Sequence, residues 1–214
     1  VDYYDHPAYL SQSGQLYSEA GIMGFGKVYD FGPVFRAEKS KTRHHLSELW
    51  MMDAEMAFHD QVMNMDVQER MVKRIVKDVL EHCQQELKIL ERDTTILQRL
   101  VNEPFVHLKH IEAKRILKEE KLISEEAYNQ EGYLYDDMST EEEIALGNKY
   151  QIPVFIEDYP AEIKSFYMKR ITDGEGRLRA RCADLIAPEE GREIIGGSQR
   201  EENYEKLKQE ILDH

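Results

Sequence analysis

The sequence has few cysteines, no long apolar run and no excess of basic residues. Its two cysteines, Cys83 and Cys182, lie far apart and in no metal-ligand spacing, which gives no support for a disulfide framework or a zinc site. No apolar run approaches the roughly 20 residues that cross a bilayer, so we expect a soluble cytoplasmic protein with no membrane partner. The net charge of -14 argues against nucleic-acid binding through overall charge, because phosphate neutralisation needs clustered lysine and arginine.

Residue patterns indicate one α+β domain. With 214 residues and 41% hydrophobic side chains, the chain can bury a substantial core. Apolar residues that alternate predict strands, and recurrence at every fourth position predicts a long helix. Helices are predicted at 14–23, 66–90, 111–120, 140–149 and 201–212, and strands at 1–11, 27–36, 46–58, 154–156, 166–168, 177–186 and 193–197. We therefore expect an antiparallel β-sheet flanked by helices.

The segment 28–55 carries the clearest chemical pattern. Arg36 and Glu38 stand two positions apart, which places them on one face of a strand, before a basic loop and a second strand pattern. An arginine offers a planar fork of donors suited to a phosphate, and a neighbouring carboxylate can hold an amine such as that of adenine. The pattern predicts a nucleotide site. For these two residues alone, the alternative is a plain surface ion pair.

Two further segments accompany this hairpin: Tyr-Leu-Ser-Gln-Ser-Gly-Gln-Leu-Tyr at 9–17 and Glu-Ile-Ile-Gly-Gly-Ser-Gln-Arg-Glu at 193–201. Together with Phe-Arg-Ala-Glu at 35–38 and Thr-Arg-His-His-Leu at 42–46, they resemble signature segments of the class II aminoacyl-tRNA synthetases, in the asparaginyl and aspartyl branch. The matches stand in the order in which the family has them, and such context strengthens a motif hypothesis.

The resemblance implies that an amino acid is activated with ATP and Mg²⁺ at defined positions. Arg36 is expected to be the catalytic residue that binds the α-phosphate and the substrate carboxylate. Glu38 is expected to bind the adenine amino group and His45 the γ-phosphate. Asp184 and Glu193 are expected to hold Mg²⁺, since a few carboxylates together with phosphate oxygens suffice for this ion.

The resemblance also implies contacts with the amino acid and with tRNA. Gln15 and Asp53 are expected to hold the α-ammonium group, because an amide oxygen and an acid suit its three donors. Arg200 is expected to recognise the amino-acid side chain. Further contacts are expected from a substrate-side segment and from the basic loop, which in the family approaches the tRNA acceptor end: Lys164, Tyr167, Lys39, Lys41 and Arg43.

The choice between asparagine and aspartate depends on few atoms. Aspartyl relatives usually carry Gln-Ser-Pro-Gln-Leu and, shortly after, a lysine that neutralises the substrate carboxylate, whereas this chain has Gly14 and Ser18 at those positions. Burying an unpaired carboxylate costs on the order of several kcal/mol, so asparagine and tRNA(Asn) are the predicted substrates. The alternatives are an aspartyl-tRNA synthetase, a tRNA-independent asparagine synthetase and a non-catalytic amino-acid-binding paralogue.

Other features of the family are missing from the sequence or altered in it. The first motif at the dimer interface, the glycine-rich third motif and the anticodon-binding barrel are missing. We expect residues 1–214 to be an interior part of the catalytic domain of a homodimer, nearly inactive alone, with a mostly helical insertion at about 64–150. Gly196 stands where some relatives place a serine beside the metal. The acidic run 141–143 after Ser139 is interpreted as helix-cap chemistry.

Overall fold

The computed structural model describes residues 2–37 and 46–213 of the chain. They form two compact units, Val1–His59 and Asp60–His214, and each unit is described by itself. Among the described residues, no helix combines the length and the apolar character that a bilayer crossing requires.

The first unit is a long β-hairpin with one helix packed on it. Its elements are β1 (Asp2–Tyr3), β2 (His6–Pro7), α1 (Gln15–Phe25), β3 (Lys27–Phe35) and β4 (Glu48–Met56). Strands β3 and β4 are antiparallel and in continuous register from Lys27 opposite Met56 to Phe35 opposite Glu48. Helix α1 ends at Gly26, which has a φ of +75° and donates its N–H to Ile22 O. The predicted helix and both predicted strands of the hairpin are confirmed.

The second unit contains a four-stranded sheet between groups of helices. Its helices are α2 (Gln61–His82), α3 (Gln84–Ile89), α4 (Thr95–Asn102), α5 (His110–Glu119), α6 (Glu125–Tyr128), α7 (Thr140–Tyr150) and α8 (Tyr204–Asp213), with short 3₁₀ turns at Tyr133–Tyr135 and Ala161–Ile163. Its strands are β5 (Val106–Lys109), β6 (Val154–Glu157), β7 (Arg170–Thr172), β8 (Leu178–Ala180), β9 (Cys182–Ala187) and β10 (Arg192–Ser198).

The sheet has the strand order β10, β9, β6, β5. Strand β9 is antiparallel to both of its neighbours, whereas β5 runs parallel to β6. A parallel pair requires a long crossover, and here the crossover contains α5, α6 and α7. Strands β7 and β8 form a separate antiparallel hairpin. The observed α+β architecture agrees with the predicted fold class, and the parallel pair is an addition to it.

The two faces of the sheet are covered by different helices, because side chains alternate along each strand. Ile156, Cys182 and Ile186 lie in one buried cluster with residues of α5 and α7. Phe155 and Leu185 lie in a second cluster with residues of α2 and α4. Asp184 therefore belongs to the face that α7 covers.

Three predicted elements have other bounds in the structure than in the prediction. They are the strand at 1–11, the helix at 66–90 and the strand at 177–186. Residues 1–11 do not form one strand, because Tyr4 and Asp5 adopt φ of +52° and +60° and turn the chain between β1 and β2. The long helix begins earlier, at Gln61, where Asp60 caps it by accepting from Met63 N at 2.8 Å. It is interrupted at Cys83, where ψ is 34°.

The strand predicted at 177–186 is split, because Arg181 N donates to Lys169 O and the chain passes from the β7–β8 hairpin into the sheet. The strand predicted at 166–168 is wrong. Met168 N closes a turn onto Ser165 O, and the segment keeps a single β-bridge, from Met168 to Arg200.

Candidate active site

In the first unit, the segment 11–15 is attached to the hairpin by backbone and side-chain hydrogen bonds. Ser11 O accepts from Phe35 N at 2.8 Å, and Gln12 O accepts from Arg36 Nε at 3.3 Å. Gln15 is the first residue of α1 and is half-buried. The structure thus brings the predicted amino-acid segment to the predicted phosphate-binding arginine.

Asp53, on β4, holds the same segment from the other strand. Its Oδ2 accepts from Ser13 Oγ and from Gly14 N, each at 2.8 Å. Ser13 Oγ in turn accepts from Gln15 N at 3.0 Å. Asp53 is therefore linked to Gln15 through the Ser13 hydroxyl, and it fixes the backbone that precedes α1.

Arg36 is exposed, and the described residues engage only part of its guanidinium. Its backbone N–H donates to Ser47 O at 2.9 Å, which continues the pairing of the two strands. Its Nη2 lies 3.5 Å from Met51 Sδ, and sulfur is a weak acceptor. The guanidinium is thus oriented through Nε, and among the described residues its other nitrogens bind only this sulfur, which leaves donors for a phosphate or carboxylate.

Several of the predicted contacts lie outside the described residues. These are the proposed adenine, γ-phosphate and tRNA contacts Glu38, His45, Lys39, Lys41 and Arg43.

In the second unit, Asp184 and Glu193 lie on the neighbouring strands β9 and β10. Gly196 pairs with Asp184 in the ladder, and the register shifts between Glu193 and Ile195. A Cβ built on Gly196 would lie 2.7 Å from Glu193 Oε1 and 3.5 Å from Asp184 Oδ1. The two predicted metal-binding acids are therefore adjacent across Gly196, and a serine at that position would displace the Glu193 carboxylate.

The charge around this pair is mostly negative. Glu193 is exposed as a residue, but protein groups crowd its carboxylate. Its burial, together with the neighbouring carboxylates of Asp184 and Glu143, raises the pKa of Glu193 to about 7. Glu143 Oε2 accepts from Glu193 N at 3.4 Å, and burial raises the pKa of Glu143 as well. A group of oxygen ligands with excess negative charge fits a hard divalent cation such as Mg²⁺.

Lys164 supplies the positive charge on this face. Its Nζ donates to Asp184 Oδ2 at 2.9 Å, lies 3.6 Å from Asp137 Oδ1 and stands 3.8 Å from the centroid of the Tyr159 ring. Burial lowers the pKa of Lys164, but attraction to Asp184, Asp137 and Cys182 together outweighs this, so the pKa lies above its usual value. Lys164 is thus an ion-pair partner of a predicted metal-binding acid.

Arg200 and Tyr167 lie together beyond the end of β10. The Arg200 guanidinium carbon is 4.7 Å from the centroid of the Tyr167 ring, a cation–π arrangement. Arg200 Nη1 donates to Ser198 Oγ, and Tyr167 O accepts from Glu201 N at 2.9 Å. The Tyr167 ring and the Ser198 hydroxyl hold the Arg200 guanidinium in one orientation.

Reasoning from sequence missed Glu143, Asp137 and Tyr159 as neighbours of the predicted metal site. The predicted cap of α7 is confirmed, since Ser139 and Glu142 form a reciprocal capping box. Glu143, the next residue, points about 100° away around the helix and reaches β10. The bulge that brings Glu193 to Glu143 has no signal in the sequence.

Residues 1–214 match the family model of the tRNA synthetases class II (D, K and N). The chain belongs to this family. Among similar class II synthetases, the asparagine–tRNA ligase of Streptococcus mutans serotype c is 46% identical over 214 residues, which is all of this chain and 47% of the relative. That of Streptococcus pyogenes serotype M5 is 48% identical over 207 residues, 97% of this chain and 46% of the relative.

Solved class II synthetases have the same fold. Asparaginyl-tRNA synthetase from Pyrococcus horikoshii, complexed with asparaginyl-adenylate, matches with a TM-score of 0.87 and 40% identity, over 100% of this chain and 46% of that one. The Entamoeba histolytica enzyme in complex with asparaginyl-adenylate matches with a TM-score of 0.85 and 28% identity, over 100% of this chain and 47% of that one. The chain thus spans about half the length of the relatives it matches.

Proposed function

We propose that the full-length protein activates asparagine with ATP and transfers it, through asparaginyl-adenylate, to tRNA(Asn). In this proposal residues 1–214 are part of the catalytic domain, with a mostly helical insertion at about 64–150. We further propose that the protein acts in the cytoplasm as a homodimer. The proposal is supported by the family, by the relatives described as asparagine–tRNA ligases, and by the arrangement of segment 11–15 beside Arg36.

Activation joins two anions, the carboxylate of the amino acid and the α-phosphate of ATP. Their repulsion must be offset and their atoms held in line, which makes positioning and electrostatic stabilisation the main contributions of the protein. Arg36 is suited to this task because its remaining donors can contact both anions. Its Nε bond to Gln12 O orients the fork relative to the segment that holds the amino acid.

The α-ammonium group would be held by Gln15 and Asp53. Asp53 uses Oδ2 for the two hydrogen bonds from the segment and retains Oδ1 as an acceptor. A carboxylate and an amide oxygen can accept two of the three ammonium donors. Arg200, held by Tyr167, is the proposed partner of the side-chain carboxamide.

Asp184 and Glu193 are the residues that would hold Mg²⁺, with Glu143 beside them. The bound ion would supply positive charge against the phosphates of ATP. Lys164 neutralises part of the Asp184 charge and thereby reduces the repulsion between the two carboxylates. Among the residues outside the described ranges, Glu38 and His45 are the proposed ATP contacts, and Lys39, Lys41 and Arg43 the proposed tRNA contacts.

The lack of a basic side chain in segment 11–18 is the observation that favours asparagine over aspartate as the substrate. Residues 11–18 contain no lysine or arginine, and Ser18, at the position of the lysine in aspartyl relatives, is buried in α1. An aspartate side chain would bring a second negative charge without a cation from this segment, which is unfavourable in a partly buried site. A neutral carboxamide avoids that cost.

ATP–pyrophosphate exchange by the full-length protein tests the proposal, with asparagine and aspartate compared side by side. Arg36→Ala should abolish exchange, and Arg70→Ala is the matched control because Arg70 lies in an exposed ion pair on α2. Exchange that depends on asparagine and is lost only in Arg36→Ala supports the proposal. Exchange with aspartate alone contradicts it and indicates an aspartyl enzyme or an amidating paralogue. Absence of exchange with either amino acid indicates a binding paralogue.

A further inference from the structure

Helix α1 lacks the usual means of stabilising its first turn. Its N-cap residue, Gly14, has no side chain to accept a hydrogen bond, and the first turn contains no acidic residue. A helix start leaves backbone donors unsatisfied and carries a partial positive charge. Ser13 Oγ accepts from Gln15 N, and two strand residues bring negative charge to this helix start.

Asp53 is the first of these residues and contacts the segment directly. Asp30, on β3, is the second. It pairs with Asp53 across the hairpin, and its Oδ1 accepts from Asp53 N at 3.3 Å. Two carboxylates that face each other on neighbouring strands repel. That repulsion is offset by the hydrogen bonds that Ser13 and Gly14 donate to Asp53. The partial positive charge at the start of α1 offsets it further.

The carboxylate of Asp30 also occupies the space beside Gly14. A Cβ built on Gly14 would lie 1.5 Å from Asp30 Oδ2 and 2.4 Å from its Cγ. Gly14 has a φ of −85°, which any residue can adopt, so backbone conformation does not require glycine here. The requirement comes from Asp30, because a side chain at position 14 must push that carboxylate away and thereby release Asp53 N.

We propose that Asp30 is a positioning residue for the amino-acid-binding segment: its carboxylate lies against Gly14 and, with Asp53, determines where Gln15 and α1 begin. Asp30 does not contact the substrate in this proposal. It acts through Asp53 and Gly14, and its importance for asparagine binding rests on the proposed function above.

The test uses the full-length protein with Gly14→Ala, Asp30→Ala and the double variant. Gly24→Ala is the matched control, since Gly24 lies in the same helix with nothing within 4 Å of a Cβ. Two readouts are taken. Hydrogen–deuterium exchange of peptides covering 11–18 reports on the segment without requiring activity. Pyrophosphate exchange gives kcat and the KM values for asparagine and ATP.

Gly14→Ala should increase deuterium uptake at 11–18 and raise the KM for asparagine about tenfold, equivalent to about 1.4 kcal/mol, with kcat and the KM for ATP nearly unchanged. Gly24→Ala should leave both readouts as in the wild type. Asp30→Ala alone should also increase uptake at 11–18, because Asp53 N loses its acceptor, but by less than Gly14→Ala, because no groups clash. The double variant should be closer to the wild type than Gly14→Ala is, because removal of the Asp30 carboxylate makes room for the added methyl group.

The proposal is overturned if Gly14→Ala behaves like Gly24→Ala in hydrogen exchange, or if the double variant is no better protected than Gly14→Ala. If the wild-type protein shows no asparagine-dependent pyrophosphate exchange, the proposed function is contradicted. The deuterium uptake of segment 11–18 in the variants would still decide whether Asp30 positions this segment.

Discussion

The buried ion pair between Lys114 and Glu142 should be essential for the stability of the second unit. Lys114 Nζ donates to both Glu142 oxygens, at 2.8 and 2.9 Å, and to Asp137 O at 2.9 Å. The two side chains are only 2% and 4% exposed. In Lys114→Met, the Glu142 carboxylate would keep the Ser139 N–H but lose its buried countercharge.

Removing one partner of a buried pair costs about 3–5 kcal/mol. With a urea m-value of about 2–3 kcal/mol/M, the midpoint of unfolding of this unit should fall by about 1–2.5 M. The assay is urea unfolding of the full-length protein. Lys77→Met is the matched control: its ion pair with Glu81 spans 3.7 Å and is about half exposed, so the expected change is at most about 0.5 kcal/mol.

A double variant separates the lost charge balance from lost packing. Lys114→Met/Glu142→Gln removes both charges and retains an acceptor for the capping box, so it should recover most of the stability lost in Lys114→Met. The reasoning is refuted if Lys114→Met is as stable as Lys77→Met, or if the double variant is the least stable of the three. Because Lys114 also binds Asp137 O, the single variant should also loosen the segment beside Lys164.

Three further outcomes are expected. Burial lowers the pKa of His110 to about 3. In the unfolded chain the His110 imidazole binds a proton below about pH 6.5, whereas in the folded protein it stays neutral down to about pH 3. The unfolding free energy should therefore decrease as pH falls from about 6.5 towards 3, by up to about 1.4 kcal/mol per pH unit. The decrease should be less steep in His110→Leu. Gly147→Ala should lower the free energy of unfolding by about 1–3 kcal/mol, because its Cβ would lie 2.9 Å from Ala187 O. Gly24→Ala should instead raise it by about 0.5–1 kcal/mol. The urea midpoints of the two variants measure both changes. Mg²⁺ affinity, measured by isothermal titration, should increase as pH rises through about 7, where Glu193 loses its proton, and a Glu193→Gln variant that kept this dependence would contradict the assignment.

Elements with a clear period and clear boundaries could be predicted from the sequence. The hairpin is long, with nine residues in each strand, and the capping box of α7 is a local pattern of four residues. Strand β5 was missed because it has four residues and passes directly into α5 at His110. No glycine, proline or polar turn separates the two elements, so the pattern gave no boundary.

The candidate site shows the same limit. Arg36, Gln15 and Asp53 were selected from local motifs, and the structure brings Asp53 to the segment that contains Gln15. The role of Asp30 depends instead on the close approach of Gly14 to a different strand, which no spacing along the chain encodes. Likewise, Glu143 meets Glu193 only because α7 packs on the bulged strand β10.

The parallel pairing of β5 with β6 has a consequence for biosynthesis. Val106 pairs with Val154, so during translation β5 leaves the ribosome well before its partner strand exists. Helices α5 and α7 can form from local contacts in that interval, but the strand must wait, because closing a long loop costs entropy before the new contacts compensate for it. The exposed side chains of His107 and Lys109 make the unpaired strand polar and charged, which disfavours pairing with other nascent chains. Both side chains bind Glu157 after β6 has paired with β5.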